Sequence, residues 1–451
     1  MDEKRQPTKE ELIAKANKPM MASRIFHEFY RGAWEVVPAG AVRDFQDFAI
    51  WYTPGVAQSC LDIKENREKV FTSTRKWNTV AVVTDGTRVL GLGDIGPEAG
   101  LPVMEGKALL FKYLGGVDAV PICLGTKDPE KIIETVKILQ PAFGGINLED
   151  IAKPKCFEIL DRLRKECDIP VWHDDQQGTA AVTVAGMINA LAIVRKKPEK
   201  IRLVLVGSGA ANIAIARLLL QSGIDTKNLV MVDSKGTLGP WRTELETQEP
   251  IKWQYCETTN AEGIKGGIAE ALDGADAVVA LSKSGPDTIK KEWIARMRDD
   301  AIVFTCANPI PEIWPWDAKE AGAKIVATGR SDFPNQVNNS VGFPGIFRGT
   351  LDVYARTITD EMCLAASQAL ADCAREKGLN ENYIIPTMDE WEVFPREAVA
   401  VGMKAIEQGV ARREMSREKL FATAEEIIRR ARSMTKKLME TGFIKAADYE
   451  A

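Results

Sequence analysis

Two adjacent carboxylate pairs are the side chains best suited to chemistry in this sequence: Glu149-Asp150, behind Gly144-Gly-Ile-Asn, and Asp174-Asp175, behind Val171-Trp-His173. Pairs that end separate strands can converge on one hard divalent cation, because Mg²⁺ and Mn²⁺ prefer oxygen ligands and keep water or substrate in their shell. Taken singly, each pair reads equally well as a helix cap or solvated turn; only a shared site gives them joint meaning. Histidine counts sharpen this. The chain has 2, His27 and His173, so two-His zinc motifs are barely possible and acid–base chemistry near neutrality falls to Lys, Tyr or carboxylates with shifted pKa values. Lys107, in Pro102-Val-Met-Glu-Gly-Lys107-Ala-Leu-Leu-Phe111, stands at what reads as the start of an apolar helix. Half-desolvation and a nearby cation would both favour its neutral form, which makes it a candidate base. Tyr52, in Ile50-Trp-Tyr52-Thr-Pro-Gly-Val56, is a phenol beside a Pro-Gly turn and a candidate proton donor. A snorkelling lysine and a core aromatic are the structural alternatives.

A second constellation points to a nucleotide. Ile201-Arg-Leu-Val-Leu-Val-Gly207-Ser208-Gly209-Ala210-Ala211-Asn212, followed by Ile213 to Leu220, sets a Gly-x-Gly turn between a strand and a helix. Backbone N–H groups at such a helix start face a pyrophosphate. Asp233 ends the next strand, about 20 residues beyond Asn212, where a carboxylate accepts bonds from the adenosine ribose. It favours NAD over NADP by repelling a 2′-phosphate, while Lys235 keeps dual use open. Asn212 departs from the usual Gly or Ala at the third position of the glycine pattern.

These residues need a frame, and the rest of the chain describes one. At 451 residues, with 45% hydrophobic and 27% charged side chains, the protein is a folded chain of two to four domains at roughly 150 residues each. Lys plus Arg total 59 and Asp plus Glu 64, a net charge of -5, which offers no electrostatic footprint for nucleic acid or an anionic membrane. The charged N-terminus lacks a signal peptide's apolar stretch, no uninterrupted apolar run reaches the ~20 residues of a membrane span, and 8 cysteines without a C-x-x-C pair suit a reducing cytoplasm.

β-branched runs alternate with helical patterns from residue 80 onward, which predicts α/β architecture with parallel sheets. The expected strands are 79–84, 117–124, 171–173, 202–206, 229–232, 277–281, 301–306 and 324–328; the clearest helices are 131–139, 155–166 and 179–194. Polar and Gly-rich residues follow most of these strands, where open α/β sheets bind ligands. We expect two domains, an N-terminal α/β substrate and catalytic domain (1–172) and a Rossmann-type dinucleotide-binding domain (173–380), with a helical C-terminal tail (381–451) carrying helices 395–407 and 416–440.

Longer strings resemble a known family. Tyr52-Thr-Pro-Gly-Val-Ala57, Val83-Thr-Asp-Gly86, Gly91-Leu-Gly-Asp-Ile-Gly96, Leu101-Pro-Val-Met-Glu-Gly-Lys107, Phe143-Gly-Gly-Ile-Asn-Leu-Glu149-Asp150, His173-Asp-Asp175-Gln and Gly329-Arg-Ser-Asp-Phe-Pro-Asn-Gln-Val-Asn-Asn339 are similar to the malic enzymes, especially the shorter prokaryotic type. The resemblance implies oxidative decarboxylation of (S)-malate to pyruvate and CO₂ with NAD or NADP and Mg²⁺ or Mn²⁺, in a homodimer. It assigns Lys107 as the base that takes the C2 hydroxyl proton, Tyr52 as the acid at C3, and Glu149, Asp150 and Asp175 as metal ligands, with Asp174 a neighbour that orients them. Arg88, Asn308 and Asn339 match substrate-binding positions, and Asn308 also adjoins the cofactor. Gln177 stands where many relatives carry histidine. Two rival readings need different outcomes: a redox-neutral malolactic enzyme would release lactate without net NADH, and a catalytically silent nucleotide-binding metabolite sensor would have no use for Lys107, Tyr52 and three carboxylates together.

Overall fold

The computed structural model describes residues 9–447. Two parallel sheets organise it. In the first, β1 (Thr79–Thr84), β2 (Asp118–Cys123), β3 (Gly145–Leu148) and β4 (Val171–His173) lie in the order β2-β1-β3-β4, all parallel. In the second, β5 (Leu203–Val206), β6 (Leu229–Asp233), β7 (Gly236–Thr237), β8 (Ala277–Ala280), β9 (Ala301–Thr305) and β10 (Ala323–Thr328) lie in the order β10-β9-β8-β5-β6-β7, with β7 alone antiparallel. Val80 to Val83 and Leu203 to Val206 are buried on both faces, the pattern of strands covered by helices on each side.

Each sheet reverses strand order once on either side of its first strand: between β1 and β3 in the first, between β5 and β8 in the second. A crevice opens at the carboxyl ends of the strands at such a reversal. The carboxylates after β3 and β4 meet at the first crevice and the Gly207-Ser-Gly209 turn sits at the second.

A single apolar helix joins the sheets. Thr179–Val194 continues directly from a wide turn at Asp174–Gly178 and is buried nearly all round. The span Asp174–Val194 is long and apolar enough to cross a membrane, but 72% of its most apolar window is buried inside the protein, so it is the core helix that the mostly small and apolar residues from Thr179 to Val194 predict.

The chain then returns to the first sheet. Helix Phe343–Asp352 is buried along its whole length and packs on helix Pro97–Gly115, with Phe111 and Phe343 rings 4.6 Å apart and Trp172 and Phe347 rings 6.2 Å apart. Arg348, fully buried, donates to Asp352 at 3.0 Å and to Asn78, which itself donates to Gly116 O at 2.9 Å. Helices Val393–Glu407 and Arg417–Glu440, close to their expected limits, cover this layer.

Three expectations need correction. Strand β3 was not among the expected strands, because Gly145-Ile-Asn-Leu148 carries a single β-branched residue. The two-residue β7 was equally invisible. Lys107 lies in the middle of helix Pro97–Gly115, not at its start: Gly96, at φ +83°, and Pro97 begin the helix, which runs on through Pro102.

Glu397 in helix Val393–Glu407 is fully buried, and neither carboxylate oxygen has a hydrogen-bond partner among the described residues. Burial holds its pKa well above the ordinary 4.5. The folded state therefore keeps a proton that the unfolded chain loses, so stability falls as pH rises above about 4.5. Thermal melts of Glu397→Gln from pH 5 to 8 should show a flatter decline than the parent chain; parallel curves would show that Glu397 does not titrate this way.

Candidate active site

The end of β3 and the turn after β4 assemble the acidic centre. One carboxylate oxygen from each of Glu149, Asp150 and Asp175 lies within 4.8 Å of the others. Asp150 sits at φ +54°, which aims its N–H at Asp175 Oδ2, 2.9 Å away, while its carbonyl accepts from Arg88 N at 2.9 Å. Glu149 Oε2 accepts from Asn147 Nδ2 at 2.8 Å. Burial, reinforced by the Asp175 charge, pushes Asp150 up to about 8. Burial likewise lifts Glu149 well above the carboxylate range, against the pull of Lys107. Asp150 Oδ2 is buried with no partner among the described residues. Three converging carboxylates, two of them buried, with an orphaned oxygen, are an all-oxygen donor set that fits a hard divalent cation.

Lys107 reaches this centre from the middle of its helix. Its Nζ stands 3.0 Å from Glu149 Oε1 and 2.5 Å from Asp174 Oδ2, and it packs over the Phe343 ring, 4.3 Å from the centroid. Asp174 is held from the other side by Trp172 Nε1 at 3.2 Å. It is thus the lysine's partner and stands outside the three-carboxylate group. The expected charge state is reversed, however. Burial favours neutral lysine, but Asp174 and Glu149 outweigh it and hold Lys107 protonated, its pKa raised from 10.5. Adjacent carboxylates, ignored when the lysine's local sequence is read alone, decide the sign.

Other expected residues gather around this pair to different degrees. Asn339 begins a short helical turn beside Gly178, whose absent Cβ would lie 3.4 Å from the Asn339 Cβ. Asn308 is exposed between two loops: its carbonyl would meet a Cβ at Gly91 at 2.8 Å, and its Nδ2 one at Gly329 at 3.0 Å. Arg88 is exposed at the rim and donates to Leu90 O at 3.2 Å. Gln177 is buried, with its Oε1 accepting from His173 N at 3.0 Å. His173 is buried and desolvation lowers its pKa, which fits packing against the site better than proton transfer. Tyr52 is not brought to this centre: its side chain is 74% exposed.

The nucleotide elements are in place. Gly207, at φ +98°, approaches β8 so closely that a Cβ would lie 2.5 Å from Leu281 O; Ser208 and Gly209 lead into helix Ala210–Gln221, which starts with Ala210, Ala211 and Asn212. Asn212 turns out to be a clasp. Its Nδ2 donates to Val206 O at 2.8 Å and to Gly207 O at 2.9 Å, so the side chain folds back into the turn and does the fixing that close packing of a glycine does elsewhere. Asp233 lines a cleft of about 540 Å³ with Lys235, Trp241 and Arg242. The Arg242 guanidinium grips Asp233 through two bonds of 3.0 and 3.1 Å, and Lys252 stands 3.7 Å away. Arg242 was missed in the sequence, where no motif marks it.

Comparison with known proteins now decides the family. The malic enzyme N-terminal domain model matches residues 32–131 and 125–164, and the malic enzyme NAD-binding domain model matches 176–406. The chain belongs to the malic enzymes. It is 49% identical to the bifunctional malic/malolactic enzyme of Bacillus subtilis, over 91% of this chain and 97% of that one, and 52% identical to the NAD-dependent malic enzyme of Geobacillus stearothermophilus, over 83% and 76%. The crystal structure of Entamoeba histolytica malic enzyme superimposes with a TM-score of 0.95 at 48% identity, covering 99% of this chain and 93% of that one. This malic enzyme is therefore an NAD(P)-dependent oxidoreductase of α/β fold with a Rossmann-type cofactor domain.

Removing one member of a buried charge group leaves the rest uncompensated, at about 3–5 kcal/mol. Lys107→Ala should accordingly lower the melting temperature of the metal-free enzyme, and Mn²⁺ should restore most of the loss by replacing the missing positive charge. An equal Mn²⁺ shift in parent and variant would count against this balance. Asn212→Ala should cost roughly 2 kcal/mol, two hydrogen bonds at about 1 kcal/mol each, and weaken NADH binding read by fluorescence titration.

Proposed function

We propose that the family's reaction, the oxidative decarboxylation of malate to pyruvate and CO₂ with reduction of NAD(P)⁺, runs in this chain on Lys107 as base, Tyr52 as acid and a divalent cation held by Glu149, Asp150 and Asp175. The contact that carries this reading is the Lys107 ammonium 3.0 Å from Glu149, one of the three clustered carboxylates. A bound Mg²⁺ or Mn²⁺ would supply Lewis-acid stabilisation of negative charge on the substrate's C2 oxygen, and bound NAD(P)⁺ the hydride acceptor. A cation held by Glu149 would take up part of the negative field that keeps Lys107 protonated; Lys107 Nζ, 3.0 Å from Glu149 Oε1, is the group placed to accept the C2 hydroxyl proton. The ammonium so formed then faces the enolate that decarboxylation leaves, and opposite charge in a dry site stabilises it. Tyr52, exposed in the chain taken alone, is the residue that the family resemblance assigns to protonate C3 and give pyruvate. Arg88 at the rim pairs with a malate carboxylate, and Asn308 and Asn339 orient it. His27 has no part in this scheme. We also read the enzyme as a cytoplasmic homodimer without nucleic-acid or membrane partners; its 8 free cysteines suit a reducing compartment.

Cofactor choice follows from the Asp233–Arg242 pair. A carboxylate alone would repel a 2′-phosphate, but here two cations flank it, so we expect both NAD⁺ and NADP⁺ to be used. Arg242→Ala should weaken NADPH binding at least tenfold while changing NADH binding little; equal losses would remove Arg242 as a discriminator. The deciding assay incubates malate with NAD⁺ or NADP⁺, with and without Mn²⁺, and follows NAD(P)H and pyruvate together. Lactate without net NADH would instead establish malolactic chemistry, the second activity in the printed name of the Bacillus subtilis relative. Within the same assay, Lys107→Ala should lose about three orders of magnitude in kcat and retain NADH binding, whereas near-normal turnover would remove Lys107 from the base role.

A further inference from the structure

Strands β8 and β9 are neighbours in the second sheet, and the segments that leave their carboxyl ends, Ser282 to Gly285 and Cys306 to Pro311, lie side by side. The second of these carries Asn308, which is exposed, as is Pro309. Behind this exposed tip the chain buries a carboxylate. Glu312 is fully buried, and its two oxygens reach different segments. Oε1 accepts from Ser282 N at 2.8 Å and from Ser282 Oγ at 3.2 Å, while Oε2 accepts from Ala307 N at 3.1 Å. Ser284 repeats the link: its Oγ donates to Ile310 O at 2.9 Å and accepts from Ile310 N at 3.1 Å. The residue before Asn308 and the second residue after it are thus both fastened to the segment that follows β8.

That segment also walls the nucleotide turn. Leu281 N donates to Val206 O at 3.1 Å, and Leu281 O lies 2.5 Å from where Gly207 would carry a Cβ. A short run of bonds and contacts therefore leads from the Gly207 turn through Leu281 and Ser282 to Glu312, and on to Ala307 and Asn308. A buried carboxylate is costly unless its oxygens are hydrogen-bonded, and no ion pair among the described residues includes Glu312. Burial raises its pKa, and the N–H donors of Ser282 and Ala307 draw it back to about 7. Its charged form thus depends on both segments being in place. Hydrogen bonds to an ionised acceptor are roughly twice as strong as neutral ones, so this carboxylate ties the segments together in a way that a neutral side chain does not match.

We infer that Glu312 is a positioning residue of the reaction: by bridging Ser282 and Ala307 it fixes Asn308 against the nucleotide turn and so sets where malate lies relative to the bound cofactor. It acts through Asn308 and touches neither ligand. The geometry of hydride transfer requires such a tie, because the reacting groups must be held at a set separation and Asn308 stands on an exposed tip between the two ligand sites. The proposal rests on the reading of Asn308 as a malate contact.

Glu312→Gln keeps the shape and removes the charge. Its single carbonyl can face Ser282 or Ala307, and its NH₂ group then meets the other N–H donor to donor. With malate varied at saturating NAD⁺ and Mn²⁺, this variant should show a malate KM raised about tenfold and kcat lowered no more than about twofold, with NADH binding within about twofold of the parent. A parent-like KM, or a loss confined to kcat, overturns the proposal, and a lowered melting temperature with parent-like kinetics is what a merely structural role gives. Asn308→Ala should raise the malate KM at least as far, and adding Glu312→Gln to it should change KM by less than about twofold, because the side chain through which Glu312 acts is already gone. Two effects that multiply independently overturn the proposal and leave Asn308 a malate contact. A parent-like KM in Asn308→Ala removes that contact itself, and the proposal with it. Should Glu312→Gln fail to fold, Ser284→Ala loosens the same segment at Ile310 and leaves the buried carboxylate in place. Its malate KM should rise about threefold in the parent and not at all in the Asn308→Ala chain; no rise in the parent, or an equal rise in both, overturns the proposal.

Discussion

Negative charge crowded around one buried lysine is the constraint on which the architecture depends. Glu149, Asp150, Asp174 and Asp175 converge on a volume that holds a single described ammonium, Lys107. Left to themselves, such groups would neutralise by taking up protons, and burial does raise Glu149 and Asp150. The fold counters with fixed donors: Asn147 to Glu149, Asp150 N to Asp175 and Trp172 to Asp174. Each donor comes from β3, β4 or the turns that end them, because parallel strands deliver their carboxyl ends to one edge. Phe343 covers the ammonium, which explains why the chain must return from the second sheet: without helix Phe343–Asp352 the lysine would face water and the interaction with its carboxylates would weaken severalfold.

The two ligand sites share a rigid element. The Asp174–Gly178 turn carries Asp175, one of the three clustered carboxylates, and the lysine's partner Asp174, and it runs without interruption into the helix that enters the second sheet's core. Gly178 is fixed by contact on two sides, since a Cβ there would overlap the Asp174 carboxylate and touch Asn339. Asn212 likewise pins the nucleotide turn to β5. A hydride must pass between substrate and cofactor across a short gap, so both groups need positions set by packing rather than by loops.

Local patterns made much of this legible before any coordinates. Carboxylate pairs after strands, the Gly-x-Gly turn and Asp233 are short-range signals, and their places in the fold agree with the sequence reading. What escaped was set by distant partners. Strand β3 exists because it fills the slot between β1 and β4, not because Gly-Ile-Asn-Leu favours a strand. Arg242 is unremarkable until a loop brings it onto Asp233. The protonation of Lys107 depends on Asp174, remote in sequence, and Asn212, read as a departure, proves to be a fixing group. Tyr52 is the instructive case: its motif is recognisable, but its ring lies exposed, away from the Lys107 centre.

The placing of Lys107 has an electrostatic logic. A lysine carried to the carboxylates on an exposed segment would have to shed its hydration on arrival, a penalty of several kcal/mol that only perfectly placed carboxylates offset. Lys107 therefore belongs to the rigid frame: it stands in the middle of helix Pro97–Gly115, with Glu149 and Asp174 already in place around its ammonium and the Phe343 ring over it. A neutral phenol such as Tyr52 has no such need of built-in counter-charges, and its ring is accordingly free to lie exposed.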